Sequence, residues 1–397
     1  MYVAASLVQK NFDVELIDLR GVEEEHWLEG IGEANVYGIT ATTLDYQRAI
    51  RIARKIKAKC GGMTVLGGTH ATVQPKEIDA VFDRVVIGEG ELAFTDLLND
   101  HEKGIERRYY QREPIINLDS IPFPARSLLP LDSIVSYGLV DRGERSTSII
   151  TSRGCPYNCS FCVSPRIWGR KVRFRSADNV VAEIEEIIRN YGVHQFKFQD
   201  DSFTVHKKRV LELCEKMEPL GIHWRCNTRV NLSDRDTLLA MKRAGCVEVD
   251  LGVESASQRV LDMNNKQISL EQAYSAIRSC KEAGLRVRLF FMIGLPGEPK
   301  DISKITIDFV KKTRPDAANL GTFVPYPGCD AFDRPEAYDM KILTRDYDEY
   351  ILTLGLGPGE WNKGFIYEHS SLTREELIEH RQRILDFFRE NDLVRNY

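Results

Sequence analysis

Three cysteines fall within eight residues of this chain: Cys155, Cys159 and Cys162, in the segment TSRGCPYNCSFC. Their spacing is C-x3-C-x2-C. Thiolates converging from one short loop can hold three corners of a cubane iron–sulfur cluster, which leaves one iron open for chemistry. A ferredoxin-type site supplies a fourth cysteine and opens with C-x2-C, so the arrangement here is a different one. The competing reading is a structural zinc site completed by a distant residue such as His194 or His206. Structural zinc favours paired knuckles, and the chain has no second knuckle. The remaining cysteines (Cys60, Cys214, Cys226, Cys246, Cys280, Cys329) lie mostly in apolar or amphipathic segments and read as small buried hydrophobes.

A reactive loop needs a scaffold, and the chain is long enough to build one. Its 397 residues allow two or three domains, at roughly 150 residues each. Hydrophobic residues make up 43% and charged residues 28%, the balance of a globular chain with ample core. Lys and Arg number 54 against 59 acids, for a net charge of −5, so a globally basic nucleic-acid binder is excluded. No apolar run approaches the ~20 residues needed to cross a bilayer. The N-terminal MYVAASLVQK has neither a basic leader nor a cleavage site. The expectation is a cytoplasmic protein with no membrane partner, and a disulfide framework is not expected in that compartment.

The expected fold class is α/β. In residues 1–100 the runs VELIDL (14–19), VYGITA (36–41), MTVLGG (63–68) and RVVIG (84–88) read as strands. They alternate with helical patterns such as QRAIRIARKIKAK, which implies a Rossmann-like parallel sheet covered on both faces. Val3, Ala4, Leu7 and Val8 share a helical face, so the chain opens in a helix where such domains usually open with a strand. An incomplete, shortened sheet is therefore expected. Residues 101–145 read as a linker. Six further strands, STSIITS (146–152), QFKFQD (195–200), HWRCNTRV (223–230), VEVDLGV (247–253), RVRLFFMIG (286–294) and NLGTFVPY (319–326), suggest a partial (β/α)6 barrel over 146–330. Capping boxes are read at Ser233 with Asp236, Ser269 with Gln272 and Thr373 with Glu376, the last opening a helix in a C-terminal extension over 331–397.

GCPYNCSFC, with Phe161 just before its last cysteine and a strand just before its first, resembles the radical S-adenosylmethionine superfamily. The resemblance runs from about Ser146 to Gly328. It implies a [4Fe-4S] cluster on Cys155, Cys159 and Cys162, whose open iron chelates the amino and carboxylate groups of S-adenosylmethionine. An electron from the cluster then yields methionine and a 5′-deoxyadenosyl radical. The same resemblance places Asp200 and Asp201 near the methionine amino group and Arg229 at its carboxylate. Glu254 and Ser255 fall at the ribose or sulfonium, and Ile293, Gly294, Leu295 and Pro296 at the adenine. Helix capping is the plain alternative for both acidic pairs of positions.

YGITATTLDYQRAIRIARKIK, VLGGTHATVQPKEI and VVIGEGELAF resemble the cobalamin-binding domain that precedes many such barrels. Thr40, Thr42, Gly67, Gly68, His70, Gly88, Glu89 and Gly90 carry the match, and IPFPARSLLP and YPGCD resemble further signatures, with Cys329 in place of the usual threonine. The Asp-x-His-x-x-Gly motif of a lower histidine ligand is absent, so His70 stands between axial ligand and ordinary turn histidine. In PRIWGRKVRFRS the cations Arg166, Arg170, Lys171, Arg173 and Arg175 stand without an acid and beside Trp168. They offer docking for an acidic electron donor such as reduced flavodoxin or ferredoxin, or for an anionic substrate, against the alternative of a solvated loop. The resemblance implies a cobalamin-dependent methyltransferase acting on an unactivated carbon of a small molecule or peptide. Radical oxidation, cyclisation or carbon–carbon bond formation without methyl transfer is the alternative, and a non-catalytic iron–sulfur protein a third. The segment GLGPGEWNKGFIYEHS is expected to help shape the substrate pocket.

Overall fold

The structure, a computed structural model, describes residues 1–138, 140, 143–350 and 365–394. Most of GLGPGEWNKGFIYEHS, through residue 364, lies outside the described residues. The chain forms two compact units: residues 1–134 with 166–169, and residues 135–165 with 170–397.

In the first unit four strands, β1 (Val36–Thr40), β2 (Met63–Gly67), β3 (Arg84–Ile87) and β4 (Tyr109–Gln111), pair in chain order and all in parallel. Helix Tyr46–Lys59 closes the first crossover because Ala49, Ile50, Ile52, Ala53 and Ile56 fall on one stripe and are buried. Cores form on both faces of the sheet, one around Trp27, Tyr37, Ile52 and Ile56, the other around Val65, Val86, Ala93, Leu97 and Tyr110. The expected linker is not loose chain: it supplies β4 and folds with this unit as far as Ile134. The expected strand over 14–19 does not form. Leu19 packs on the Trp27 cluster, but its carbonyl and that of Val22 are taken by the Arg48 guanidinium, not by a neighbouring strand. Alternating apolar residues announced a half-buried extended chain, and the hydrogen bonds went elsewhere.

The second unit is built on a seven-stranded sheet. β5 (Ser136–Tyr137) and β6 (Arg145–Ile149) are followed by a small ribbon of β7 (Ser152–Arg153) and β8 (Arg173–Phe174). Then come β9 (Gln195–Phe198), β10 (His223–Thr228), β11 (Cys246–Glu254), β12 (Arg286–Ile293) and β13 (Ala317–Thr322). The order is β13-β12-β11-β10-β9-β6-β5, parallel throughout except for β5. β6 and β13 do not pair, so the six expected strands form a partial, open barrel. Its helices run Ala177–Tyr191, Lys207–Met217, Arg235–Arg243, Leu270–Glu282 and Ile302–Thr313. The C-terminal helix Arg374–Glu390 packs on the same body, where Ala318 donates its N–H to the Leu393 carbonyl. An antiparallel pair, β14 (Met340–Ile342) and β15 (Tyr367–His369), precedes it.

The capping boxes at Ser269 and Thr373 form as read. That at Ser233 does not: Asp234 caps helix Arg235–Arg243 by accepting from the Thr237 N–H, and the Ser233 hydroxyl turns back to the Arg229 carbonyl. A carboxylate one residue later is the better acceptor at a helix N-terminus.

The strands also carry charges that the reading passed over. Glu248 accepts from Arg225 at 3.1 Å and Arg288 at 3.0 Å, Asp250 lies 3.8 Å from Lys197, and all five residues stand on alternate positions of neighbouring strands. Burial pushes the Glu248 carboxyl up, but Arg288, Arg225 and Arg286 outweigh it and hold the group below the usual range. A carboxyl depressed in the folded state contributes stability above its unfolded value, ~4.3, and that contribution is lost as pH falls below it. Glu248→Ala removes the carboxylate that faces Arg225, Arg286 and Arg288, leaving Asp250 at 3.9 Å from Arg225 and 3.5 Å from Arg288, and is expected to cost about 3 kcal/mol in urea unfolding near neutral pH. The difference from wild type should narrow below roughly pH 4; a difference under about 1 kcal/mol at pH 7 would show that the cluster does not hold the strands.

Candidate functional site

The three cysteines sit in the loop that leaves the carboxyl end of β6, at the edge where ligands bind in parallel α/β sheets. The loop has little structure of its own. It is fixed from outside: Ser160 donates its N–H to the Asn264 carbonyl at 3.1 Å and its hydroxyl to Asn264 Oδ1 at 2.7 Å. Asn265 donates to the Asn158 carbonyl at 2.8 Å, and Ala331 donates its N–H to the Ser160 carbonyl at 3.0 Å. Cys159 is buried and Cys155 and Cys162 are half-buried. Burial raises the Cys155 thiol and pushes Cys162 up to about 12, and in both the neighbouring cysteines and Asp201 add to the shift. Cys162 donates its N–H to the Cys159 carbonyl at 3.1 Å, and thiols raised in this way must release protons when they ligate iron.

Arg229 follows β10 and turns toward this loop. Its guanidinium lies 3.6 Å above the Tyr157 ring, with Nη1 3.5 Å from Cys159 Sγ and Nη2 on the Lys266 carbonyl. Its Nε is buried without a hydrogen-bond partner. One guanidinium therefore braces a thiol of the loop and keeps a donor in reserve, which suits a carboxylate arriving at the same place. The zinc alternative fails on placement. His194 stands exposed before β9, at the amino-terminal edge of the sheet, and His206 caps helix Lys207–Met217 by accepting from the Arg209 N–H. Among the described residues no group of three or more His, Cys, Asp or Glu is gathered around a single metal-ion position. A cubane spreads its cysteines over different irons and does not need that gathering.

The acidic positions separate. Asp200 is buried and spends both oxygens, one accepting from the Thr151 hydroxyl at 2.9 Å and from Ser152, the other from the Thr151 N–H at 3.3 Å. Its carboxyl is raised by burial, and it ties the end of β9 to the start of the cysteine loop. It caps no helix. Asp201 accepts from the Ser164 hydroxyl and also sits above the usual range, through desolvation and the neighbouring Asp200. Of the two, Asp201 is the one whose charge reaches the Cys155 and Cys162 thiols.

At the end of β11 the register with β12 slips between Gly252 and Glu254, and Glu254 adopts a φ of 68°. A bulge of this kind re-aims one side chain at a strand end. The Glu254 carboxylate lies over Gly252, where a Cβ would stand 2.5 Å from Oε1, and accepts from Lys266 Nζ at 2.8 Å. Ser255 is buried and accepts from the Ser257 N–H, a local turn role. Ile293, Gly294, Leu295 and Pro296 are all buried at the end of β12. Gly294, at φ 93°, donates its N–H to Glu298 at 2.9 Å and accepts from the Tyr367 hydroxyl at 2.6 Å. A Cβ there would stand 2.1 Å from that hydroxyl, so glycine is required. Asn264 also donates to the Pro296 carbonyl, joining this stretch to the cysteine loop. Phe161 faces the Lys266 ammonium at 5.8 Å.

Four contributors to the site escaped the sequence reading: Asn264, Lys266, Glu298 and Tyr367. Glu298 is the last letter of FFMIGLPGE, and its burial pushes the carboxyl up to about 8. A charged residue closing an apolar run was a usable signal there, whereas Tyr367 lies in GLGPGEWNKGFIYEHS, a segment expected near the pocket without any residue of it being singled out.

In the first unit the cobalamin-type residues gather at the carboxyl edge of β1, β2 and β3. Thr40 and Gly67 end strands, Gly68 turns at φ 93° with its α-carbon against Thr40 and Ala41, and Gly88 turns at φ 76° in open space. Thr42 donates to Asp45, and Gly90 begins helix Gly90–Glu102 hard against Val3. Glu89 is buried and accepts from the Ile115 N–H at 2.8 Å. Backbone bare of side chains along this edge suits a broad cofactor. His70 does not stand out from the edge. It is fully buried, stacked on Tyr46 at 3.9 Å and within 3.2 Å of the Thr43 hydroxyl, and burial lowers it to about 4.

The basic patch dissolves in the structure. Arg173 and Arg175 are buried, Arg175 in an ion pair with Glu183, so their charges are spent inside the second unit. Arg170 and Lys171 stay exposed there, as does Arg166 in the first unit, where Trp168 is half-buried.

Comparison with known proteins agrees with this geometry. Residues 149–310 match the model of the radical SAM superfamily, and residues 1–98 that of the B12 binding domain. The chain is 34% identical over 376 residues to the uncharacterized methyltransferase PH0819 of Pyrococcus horikoshii, an alignment covering 87% of this chain and 80% of that one. It is 31% identical to the anaerobic magnesium-protoporphyrin IX monomethyl ester cyclase of Rubrivivax gelatinosus, covering 77% of this chain but only 60% of the relative. The fold superposes on the radical S-adenosylmethionine methyltransferase TsrM from Kitasatospora setae with a TM-score of 0.67, at 18% identity, over 87% of this chain and 75% of that one. No helix among the described residues is long and apolar enough to cross a membrane. The chain belongs to the radical SAM superfamily, in the class that carries a B12-binding domain ahead of the barrel.

Proposed function

We propose that this chain is a cobalamin-dependent radical S-adenosylmethionine methyltransferase. When bound, the cluster supplies the electron that cleaves S-adenosylmethionine to an adenosyl radical able to take hydrogen from an unactivated carbon, and methylcobalamin supplies the methyl group. Cys155, Cys159 and Cys162 would hold the cluster through three thiolates. Arg229 braces Cys159 Sγ through Nη1 and would offer its spare Nε to the methionine carboxylate. Asp201 and Glu254 present carboxylates near an ammonium and a diol, while Ile293 to Pro296 offer apolar backbone for the adenine. Thr40, Thr42, Gly67, Gly68, Gly88, Glu89 and Gly90 form the edge that would receive cobalamin, with His70 serving the core and not the cobalt.

One observation carries the reading: three neighbouring thiols leave a strand's carboxyl end beside an arginine that touches one of them and keeps a buried donor unused. The substrate is read as a small molecule or peptide. Reduced flavodoxin or ferredoxin would supply the electron, with Arg170 and Lys171 as the remaining cations for an acidic donor. A second reading keeps the radical and omits methyl transfer, and the cyclase among the relatives favours it.

After anaerobic reconstitution, dithionite and S-adenosylmethionine should yield 5′-deoxyadenosine, and an intact cluster that yields none would end the enzyme reading. Cys159→Ala is expected to lose cluster iron and cleavage together; retained cleavage would overturn the ligand assignment. Protein loaded with hydroxocobalamin should keep a corrin absorption band through desalting. Loss of that band, with cleavage intact, would select the second reading.

A further inference from the structure

We propose that the Asn264–Lys266 segment is a positioning clamp that serves two halves of the site separately, Asn264 holding the cluster loop and Lys266 aiming Glu254 at S-adenosylmethionine. The inference rests on the proposed function and assigns work to residues outside the cysteine motif. Asn264 uses every polar atom of its amide: Oδ1 accepts from Ser160, and Nδ2 donates to the Val260 and Pro296 carbonyls, each at 2.9 Å. Its carbonyl takes the Ser160 N–H. Ser160 lies between Cys159 and Cys162, so these bonds fix the backbone from which two ligands project. Asn265 adds a bond to Asn158, on the other side of Cys159.

Lys266 faces the other way. It is 4% exposed, an unusual place for an ammonium, and is tied there by the Glu254 carboxylate and the Phe161 ring. Glu254 occupies a left-handed conformation that is unfavourable for a non-glycine residue, and such strain persists only where the surroundings over-determine it. The Lys266 ammonium supplies that determination, and Gly252 supplies the room: a Cβ there would stand 3.1 Å from Nζ as well as 2.5 Å from Oε1. Asn265, at φ 50°, closes helix Gln258–Met263, and Gln267 is left-handed at φ 56°, so Lys266 stands in the turn that follows the helix, with its carbonyl taking Arg229. A bulge, a glycine and a buried lysine converge on one carboxylate. A residue that served packing alone would not need all three.

The reconstituted holoenzyme tests the clamp through iron content, chelator-driven cluster loss and the equilibrium dissociation constant of S-adenosylmethionine, read by dialysis and by the shift it causes in the reduced cluster's paramagnetic resonance spectrum. Lys266→Met is expected to keep full iron and wild-type resistance to chelator while weakening S-adenosylmethionine binding by about 10-fold to 100-fold, with Lys266→Arg recovering part of the loss. Asn264→Ala, and the milder Ser160→Ala, should speed chelator-driven cluster loss by about tenfold. Glu254→Gln is measured alongside. If Glu254→Gln weakens binding and Lys266→Met does not, the clamp is overturned while the cofactor assignment stands. If neither weakens it, the Glu254 assignment falls and the lysine's role falls with it. If Ser160→Ala folds and holds its cluster as wild type does, the Asn264 half is overturned.

Discussion

A loop that presents three thiols cannot spend its backbone on a ladder, so every polar group it buries must be satisfied by something outside it. That constraint organises the second unit. Ser160 is paired through both its backbone and its hydroxyl, Asn158 through its carbonyl, and Thr151 and Ser152 through the buried Asp200. The partners are Asp200 after β9, Arg229 after β10, Asn264 and Asn265 just past helix Gln258–Met263, and Ala331 in the short helix Asp330–Asp333, all in segments that follow the carboxyl ends of the strands. Geometry that three flexible side chains could not keep alone is thus borrowed from the sheet. The same edge carries the Arg229 Nε, buried without a partner, and the Glu254 carboxylate, held by Lys266.

Burial has a second consequence. Thiols, carboxylates and an ammonium taken out of water all pay a desolvation cost that only specific partners offset. Glu248 finds three guanidinium groups and stays charged, whereas Glu298 finds only backbone N–H groups and is pushed up to about 8. The two glutamates end in different protonation regimes because one faces cations and the other faces Gly294 and Leu295. Within one barrel, the charged cluster supports the strands and the near-neutral carboxyl supports a turn.

Much of this was legible in the chain. The six barrel strands follow from short β-branched runs between helical patterns; the cysteine spacing pointed to a cluster or a metal, and the resemblance of GCPYNCSFC to the radical S-adenosylmethionine superfamily chose the cluster. What stayed hidden was decided by partners far apart in sequence. Val14 to Leu19 alternates like a strand, yet the Arg48 guanidinium meets the carbonyls at its end. Asp200 looked like a ligand or a cap and became a staple, because Thr151 and Ser152 lie across from it on the neighbouring loop. Arg173 and Arg175 looked like a surface patch, but the alternation of a short strand turned them inward, where Glu183 waits eight residues after Arg175. Lys266, in MNNKQIS, resembles any polar turn until Glu254 is placed beside it. Periodicity reports which way a side chain faces, and it is silent about which partner it meets.

The distribution of backbone strain follows the same logic. Two of the left-handed non-glycine residues, Asn265 and Gln267, flank Lys266, and a third, Glu254, is its partner. Asn265, like Arg314 and Asp339, closes a helical segment, a position where that conformation is routine. At Glu254 it falls instead at a strand end, where a continuing strand would have carried the carboxylate past the site. The bulge stops the strand one residue early, turns the side chain back over Gly252, and leaves the lysine to hold it there. Strain of this kind is unfavourable for folding alone, and its concentration beside the cysteine loop marks where the fold gives up stability for position.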